Sequence, residues 1–119
     1  MMNKESIELY FSGQALGDAM LTQENQIFLS ASSKDSEKIQ NHIANLASSL
    51  GLNLSGNPFV LPNGATLTFL QTDSKVAGGH SGNAYVINCF DEDNFSYISN
   101  LVSSWTMLKK HKAAFVSIE

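Results

Sequence analysis

Between residues 83 and 119 the signals along the sequence change in an order that few folds accommodate. Residues 84–90 read as a strand and Asp91, Glu92 and Asp93 as an acidic turn. A helix over 94–108, a basic exit over 109–112 and a closing strand over 113–118 follow. The helix sets Ile98, Leu101, Val102, Trp105 and Leu108 at the spacing of one buried face. Trp105, the only tryptophan, stands in the middle of that stripe, where a large apolar side chain anchors a core. Strand, amphipathic helix and strand together ask for a sheet with a helix laid on it.

A weaker copy of this unit occupies 26–61. Ile27, Phe28 and Leu29 are consecutive, as in a strand buried on both faces. Ser32, Ser33, Lys34 and Asp35 form a turn and N-cap cluster, because short polar side chains accept from orphan backbone N–H groups. From Ser36 the residues Ile39, Ile43, Leu46, Ala47 and Leu50 make a helical stripe, and Gly51 takes the left-handed C-cap position. A short strand over 59–61 then turns through Pro62, Asn63 and Gly64 into a strand over 65–71. Ahead of this unit, 6–12 alternates Ile7, Leu9 and Phe11 with Glu8, Tyr10 and Ser12, the pattern of a strand with one wet face. Residues 14–24 read as a short helix or a wide hairpin loop, with Gly17 weakening the helix.

Shifted on itself by about 58 residues, the chain matches in pattern. Leu9 meets Leu67, Phe11 meets Phe69, 27–29 meets 85–87, Asp35 meets Asp93 and Leu50 meets Leu108. The expected fold is therefore α+β, a single domain over 1–119. It is a two-layer sandwich with a mixed or antiparallel sheet and two main helices on one face, arranged as two ββαβ pseudo-repeats. A ferredoxin-like core with added strands is the alternative. Either leaves a second sheet face free to dock a partner, with Glu8, Tyr10, Thr66 and Thr68 as its interface residues.

Bulk properties narrow the function. A chain of 119 residues builds a core without a disulfide or metal. The formal charge of −4 argues against nucleic acid and against anionic lipid, both of which call for basic patches. Charged residues make up only 15%, which suits a surface covered by a partner or a second copy. The single cysteine, Cys89, lies in a strand pattern and reads as a small buried hydrophobe. No apolar run reaches the ~18 residues of a membrane span, so the chain is expected to be cytoplasmic and to have no membrane partner.

Residues 72–82 form a polar loop of the length that often carries function. Within it Gly78, Gly79, His80 and Ser81 are the ligand-binding candidates, and His80 and Ser81 the catalytic ones: glycines admit an anion to backbone N–H groups, and histidine serves as a base near neutral pH. The loop leads into a strand, and no GKS or GKT follows it, so it does not fit a phosphate loop. His42, His111 and Cys89 lack metal-ligand spacing, and neither metal nor cofactor is expected. Asp91, Glu92 and Asp93 fit the positive end of a helix better than a calcium loop. No family motif is recognisable, and in general character the chain resembles the short orphan proteins of mobile bacterial elements. The expected function is binding rather than catalysis, through a protein partner or a homodimer. Two alternatives are a small-molecule-binding homo-oligomer with a pocket near 72–82 and a hydrolase-like enzyme using His80 and Ser81.

Overall fold

A computed structural model describes residues 3–73, 79–107 and 111–117. The elements are α1 (Lys4–Thr22), β1 (Gln26–Ser30), α2 (Ser33–Ser49), β2 (Phe59–Val60), β3 (Thr66–Gln71), β4 (Asn83–Ile87), α3 (Phe95–Thr106) and β5 (Ala113–Val116). They build one five-stranded sheet in the order β2-β3-β1-β4-β5. β1 runs parallel to β3 and to β4, β4 runs parallel to β5, and only β2 is antiparallel to its neighbour.

The α+β class and the mixed sheet are as the sequence led one to expect, but the two helices expected to share a face, α2 and α3, lie on opposite faces. α1, not α3, joins α2, and the pair closes over Phe28, Leu67, Phe69, Tyr85 and Ile87. α3 covers the other face, packing Ile98, Val102 and Trp105 on Ile27, Leu29, Ala84 and Val86. The connections explain this placement. β1 leads through α2 to β3 on one side, and β4 leads through α3 to β5 on the other. Right-handed crossovers travelling in opposite directions put their helices on opposite faces. The ferredoxin-like alternative does not describe a sheet in which β3, β1, β4 and β5 are all parallel.

β1 and β4, at the centre, are buried at every position, as parallel strands covered on both faces should be. α2 begins where Ser32 accepts from the Asp35 N–H (3.3 Å), and Gly51 follows its C-cap with φ of +82°. β2 and β3 form the expected hairpin, with Gly64 at φ +92°. The echo between halves holds for β1 with β4 and α2 with α3.

The echo fails at 6–12, which is helix and not strand. Asn3 caps α1, its side-chain oxygen accepting from the Ser6 N–H at 2.8 Å. The alternation misled because the first half of α1 buries Glu8 and Ser12, which no hydrophobic pattern marks; Ala15, Leu16 and Ala19, in the stretch that also reads as a short helix, complete the face. Leu9 and Tyr10 are exposed. Leu108, Lys109, Lys110 and residue 118 lie outside the described residues.

Candidate functional site

The two parallel units diverge between β1 and β4. In an open sheet of this kind, ligands settle beyond the carboxyl ends of the strands, where the direction of winding reverses. Here that end is framed by the residues following β1 and β4, by the first turn of α2, and by the start of α1. Lys4 donates to Asp35 at 3.0 Å, joining the N-terminal turns of α1 and α2. That ammonium and Ser32 outweigh partial burial, so the Asp35 carboxyl is held below its ordinary range. Gln71, at the end of β3, donates to the Ser36 hydroxyl at 2.8 Å. Past β4, Asn88 has φ of +50°, and its N–H donates to the Val116 carbonyl at 2.8 Å. Asp91 accepts from the N–H groups of Asp93 and Asn94 and so shapes the turn into α3.

Two polar groups at this end lack partners. The Ser30 hydroxyl, pointing to the same face as Phe28, is buried and finds no hydrogen-bond partner among the described residues. The same is true of one carboxylate oxygen of Glu8, a residue only 3% exposed. Burial pushes the Glu8 carboxyl above its ordinary value, against the opposing pull of Lys4, His42 and Lys38. Glu8 floors a groove of about 420 Å³ between α1 and α2, lined also by Lys4, Lys38, Asn41 and His42. Unpartnered buried polar atoms are uncommon and mark places where a structure is incomplete or reactive.

The opposite end of the sheet is closed. The Gln26 side-chain oxygen accepts from the Tyr85 hydroxyl at 2.9 Å and the Asn83 amide at 3.4 Å. Asn83 in turn accepts from the Lys112 N–H at 3.0 Å. His111 and Glu24 lie 2.8 Å apart, and Lys112 pairs with Asp18 at 2.6 Å. The hydrogen bond from His111 lowers the Glu24 pKa.

The sequence candidates are dispersed. Gly78 lies outside the described residues. Gly79 is exposed with φ of +90°, and the His80 ring packs edge-on against Trp105 at 5.9 Å. Ser81 lines a polar cleft of about 470 Å³ with Glu24, Asn25 and His111, at the closed end. Glu8 and Tyr10 belong to α1, whereas Thr66 and Thr68 sit half-buried on β3 facing the α3 side, so the four share no surface. Cys89 is buried, donates to the Leu29 carbonyl, and burial pushes its thiol up to about 12. Ser30 and the reversal between β1 and β4 escaped the sequence reading, because both depend on strand order.

The arrangement defines an open sheet with a parallel core, flanked by helices and carrying a crevice at its reversal point. The chain belongs to the family described as "Terminase large subunit, T4likevirus-type, N-terminal", which matches residues 9–118. It is similar to the "Probable terminase, ATPase subunit" of Haemophilus phage HP1 (strain HP1c1), 47% identical over 77 residues. That match covers 64% of this chain and 13% of the relative. It is also similar to the "Terminase, ATPase subunit" of Escherichia phage P2, 37% identical over 109 residues, which are 91% of this chain and 18% of the relative. The chain thus spans under a fifth of either relative. No solved structure matches it.

Membership of a terminase family overturns three expectations. The chain is not an uncharacterised protein-binding domain, and it is not a bacterial orphan. The exclusion of nucleic acid also fails: an overall charge of −4 averages over a surface and says little about any one patch of it. Among the described residues, no helix is long and apolar enough to cross a membrane.

Proposed function

We propose that this chain forms part of the sheet core of a terminase large subunit, the component of the DNA-packaging motor that couples ATP hydrolysis to movement of DNA. The observation that carries this reading is the family match, which runs from within α1 to the end of β5 and so takes in the whole sheet. Both relatives are called ATPase subunits, and an open parallel sheet with a reversal point is a common frame for nucleotide chemistry. The sequence holds no G-x-x-x-x-G-K-[ST] loop, so the proposed role is to supply one wall of the nucleotide crevice rather than its phosphate cradle. Ser30, the first turn of α2 and Asn88 are the residues positioned for it.

The test is a chimera in which this chain replaces the matched segment of the phage P2 relative. The chimera is expected to stay soluble, bind a fluorescent ATP analogue, and turn over ATP in the presence of DNA. If it folds, by circular dichroism, but neither binds nucleotide nor supports packaging, the reading is wrong.

A further inference from the structure

α1 and α2 lie side by side on the sheet, and their polar positions meet across a groove of about 420 Å³. α1 contributes Lys4, Glu5 and Glu8. α2 contributes Lys38, Asn41, His42 and Asn45, at the i, i+3, i+4 and i+7 spacing of one helix face. The volume is that of a small-molecule site. At its floor Glu8 is only 3% exposed, and its Oε2 has no hydrogen-bond partner among the described residues.

The neighbouring side chains do not supply that partner. Lys4, the strongest opposite charge acting on Glu8, is engaged by Asp35 at 3.0 Å. Among the described residues no ion pair joins Glu8 to Lys38 or His42. Ser12, one turn further along α1, is fully buried, and its own hydroxyl is likewise unmatched. A lone carboxylate held out of water is costly, and an apolar side chain of similar size would pack the two helices without that cost. A partner that arrives from outside accounts for an acid in this position.

The lining says what kind of partner. With Lys4 neutralised by Asp35, Glu5 and Glu8 face Lys38 alone, which leaves an excess of negative charge. Lys38 is exposed, and solvent screens its charge. Across from Glu8, Asn41 and Asn45 offer side-chain carbonyls as acceptors. Among the described residues no three His, Cys, Asp or Glu side chains come together as metal ligands. The complement is a compact cation with several N–H donors, not a bare ion.

We propose that the groove between α1 and α2 binds a guanidinium or primary ammonium group, seated on the Glu8 carboxylate with its remaining N–H groups shared by the asparagines of α2. The inference stands apart from the terminase reading. Of the two groups a guanidinium is the better fit, because its planar fork bonds a carboxylate and still points donors at the opposite wall. Burial raises the pKa of Glu8 in the free chain, and a cation on the carboxylate pulls it back down.

The experiment follows the Glu8 carboxyl carbon by NMR in the whole chain, at neutral pH and constant ionic strength, as methylguanidinium is added. The signal is expected to move to its ionised position and to saturate with a Kd below about 10 mM. Glu8→Gln keeps the shape of the side chain, so it should stay folded and bind at least about tenfold more weakly, read from the backbone amides of Asn41 and Asn45. Tetramethylammonium, with the same charge and no N–H donors, is expected to leave the signal in place. An arginine tripeptide blocked at both ends separates the sources of the cation. Binding as tight as that of methylguanidinium supports the site as a socket for an arginine side chain, and binding of methylguanidinium alone supports it as a small-molecule site. No response to methylguanidinium, an equal response to tetramethylammonium, or undiminished binding by Glu8→Gln overturns the proposal. A marked loss of stability in Lys38→Met overturns it too, since Lys38 would then be the partner of Glu8.

Discussion

The two ends of the sheet are built on opposite principles. At the amino ends of β1 and β4, the side chains of Gln26, Asn83 and Tyr85 satisfy one another, and the Lys112–Asp18 ion pair and the His111–Glu24 hydrogen bond tie the residues ahead of β5 to α1 and to the turn after it. At the carboxyl ends, Glu8 and Ser30 are buried with polar atoms unmatched. The first end is knitted together by side chains, although the Trp105 indole N–H is unmatched there too. The second is joined mainly through helix N-terminal turns and leaves a carboxylate buried.

Substitutions should therefore cost more at the closed end. The largest effect belongs to Gly82→Ala, since a Cβ there would press into the Asn25 backbone, 2.7 Å from its carbonyl carbon. We expect a loss of about 3 kcal/mol or more in urea unfolding; a variant within error of the parent would mean that the tight junction is not rigid. Gln26→Leu comes next. It strands the Tyr85 hydroxyl in the core, and thermal denaturation should register about 2 kcal/mol of destabilisation.

At the open end the sign reverses. Below pH 4.5, its ordinary value, Glu8 is protonated in the folded and unfolded chain alike and costs nothing. As pH rises past that point the unfolded chain ionises first, and the buried carboxyl subtracts stability until its own raised value is passed. Glu8→Gln should therefore stabilise by about 1 kcal/mol at pH 7 and make no difference at pH 3.5. A variant less stable than the parent at neutral pH would show that the carboxylate has a partner after all. A smaller effect is expected from Glu24→Gln. Glu24 has a lowered pKa, so its contribution is present above 4.5 and lost as pH falls through the folded value. With 37% of that side chain exposed, solvent screening should hold the loss at pH 6 to about 0.5 kcal/mol. The smallest is expected from Ser30→Ala, neutral within about 0.5 kcal/mol in urea unfolding because the hydroxyl leaves no partner behind; a clear loss would show that it has one.

Much of this architecture was legible. The stripes of α2 and α3, the buried strand at 26–30 and the hairpin at 62–64 all announced themselves, because apolar periodicity directly reports a face turned to a core. The first half of α1 did not, since it buries Glu8 and Ser12 while Leu9 and Tyr10 stand in solvent; only 14–24 offered a helix as one of two readings. The cap at Asn3 was the available signal. Which helices share a face was not legible at all. That depends on the direction of each crossover, and hence on strand order, a long-range property that no local pattern encodes. The placement of His80 and Ser81 was hidden for the same reason: strand order carries them to the end away from the reversal point.

β1 and β4 are clamped between helices pressing from both sides, so neither can slip past the other without disrupting two cores at once. A load applied at the lip of the crevice must then travel through the sheet as the motion of a stiff plate. A small displacement at one end would then reach the other undiminished.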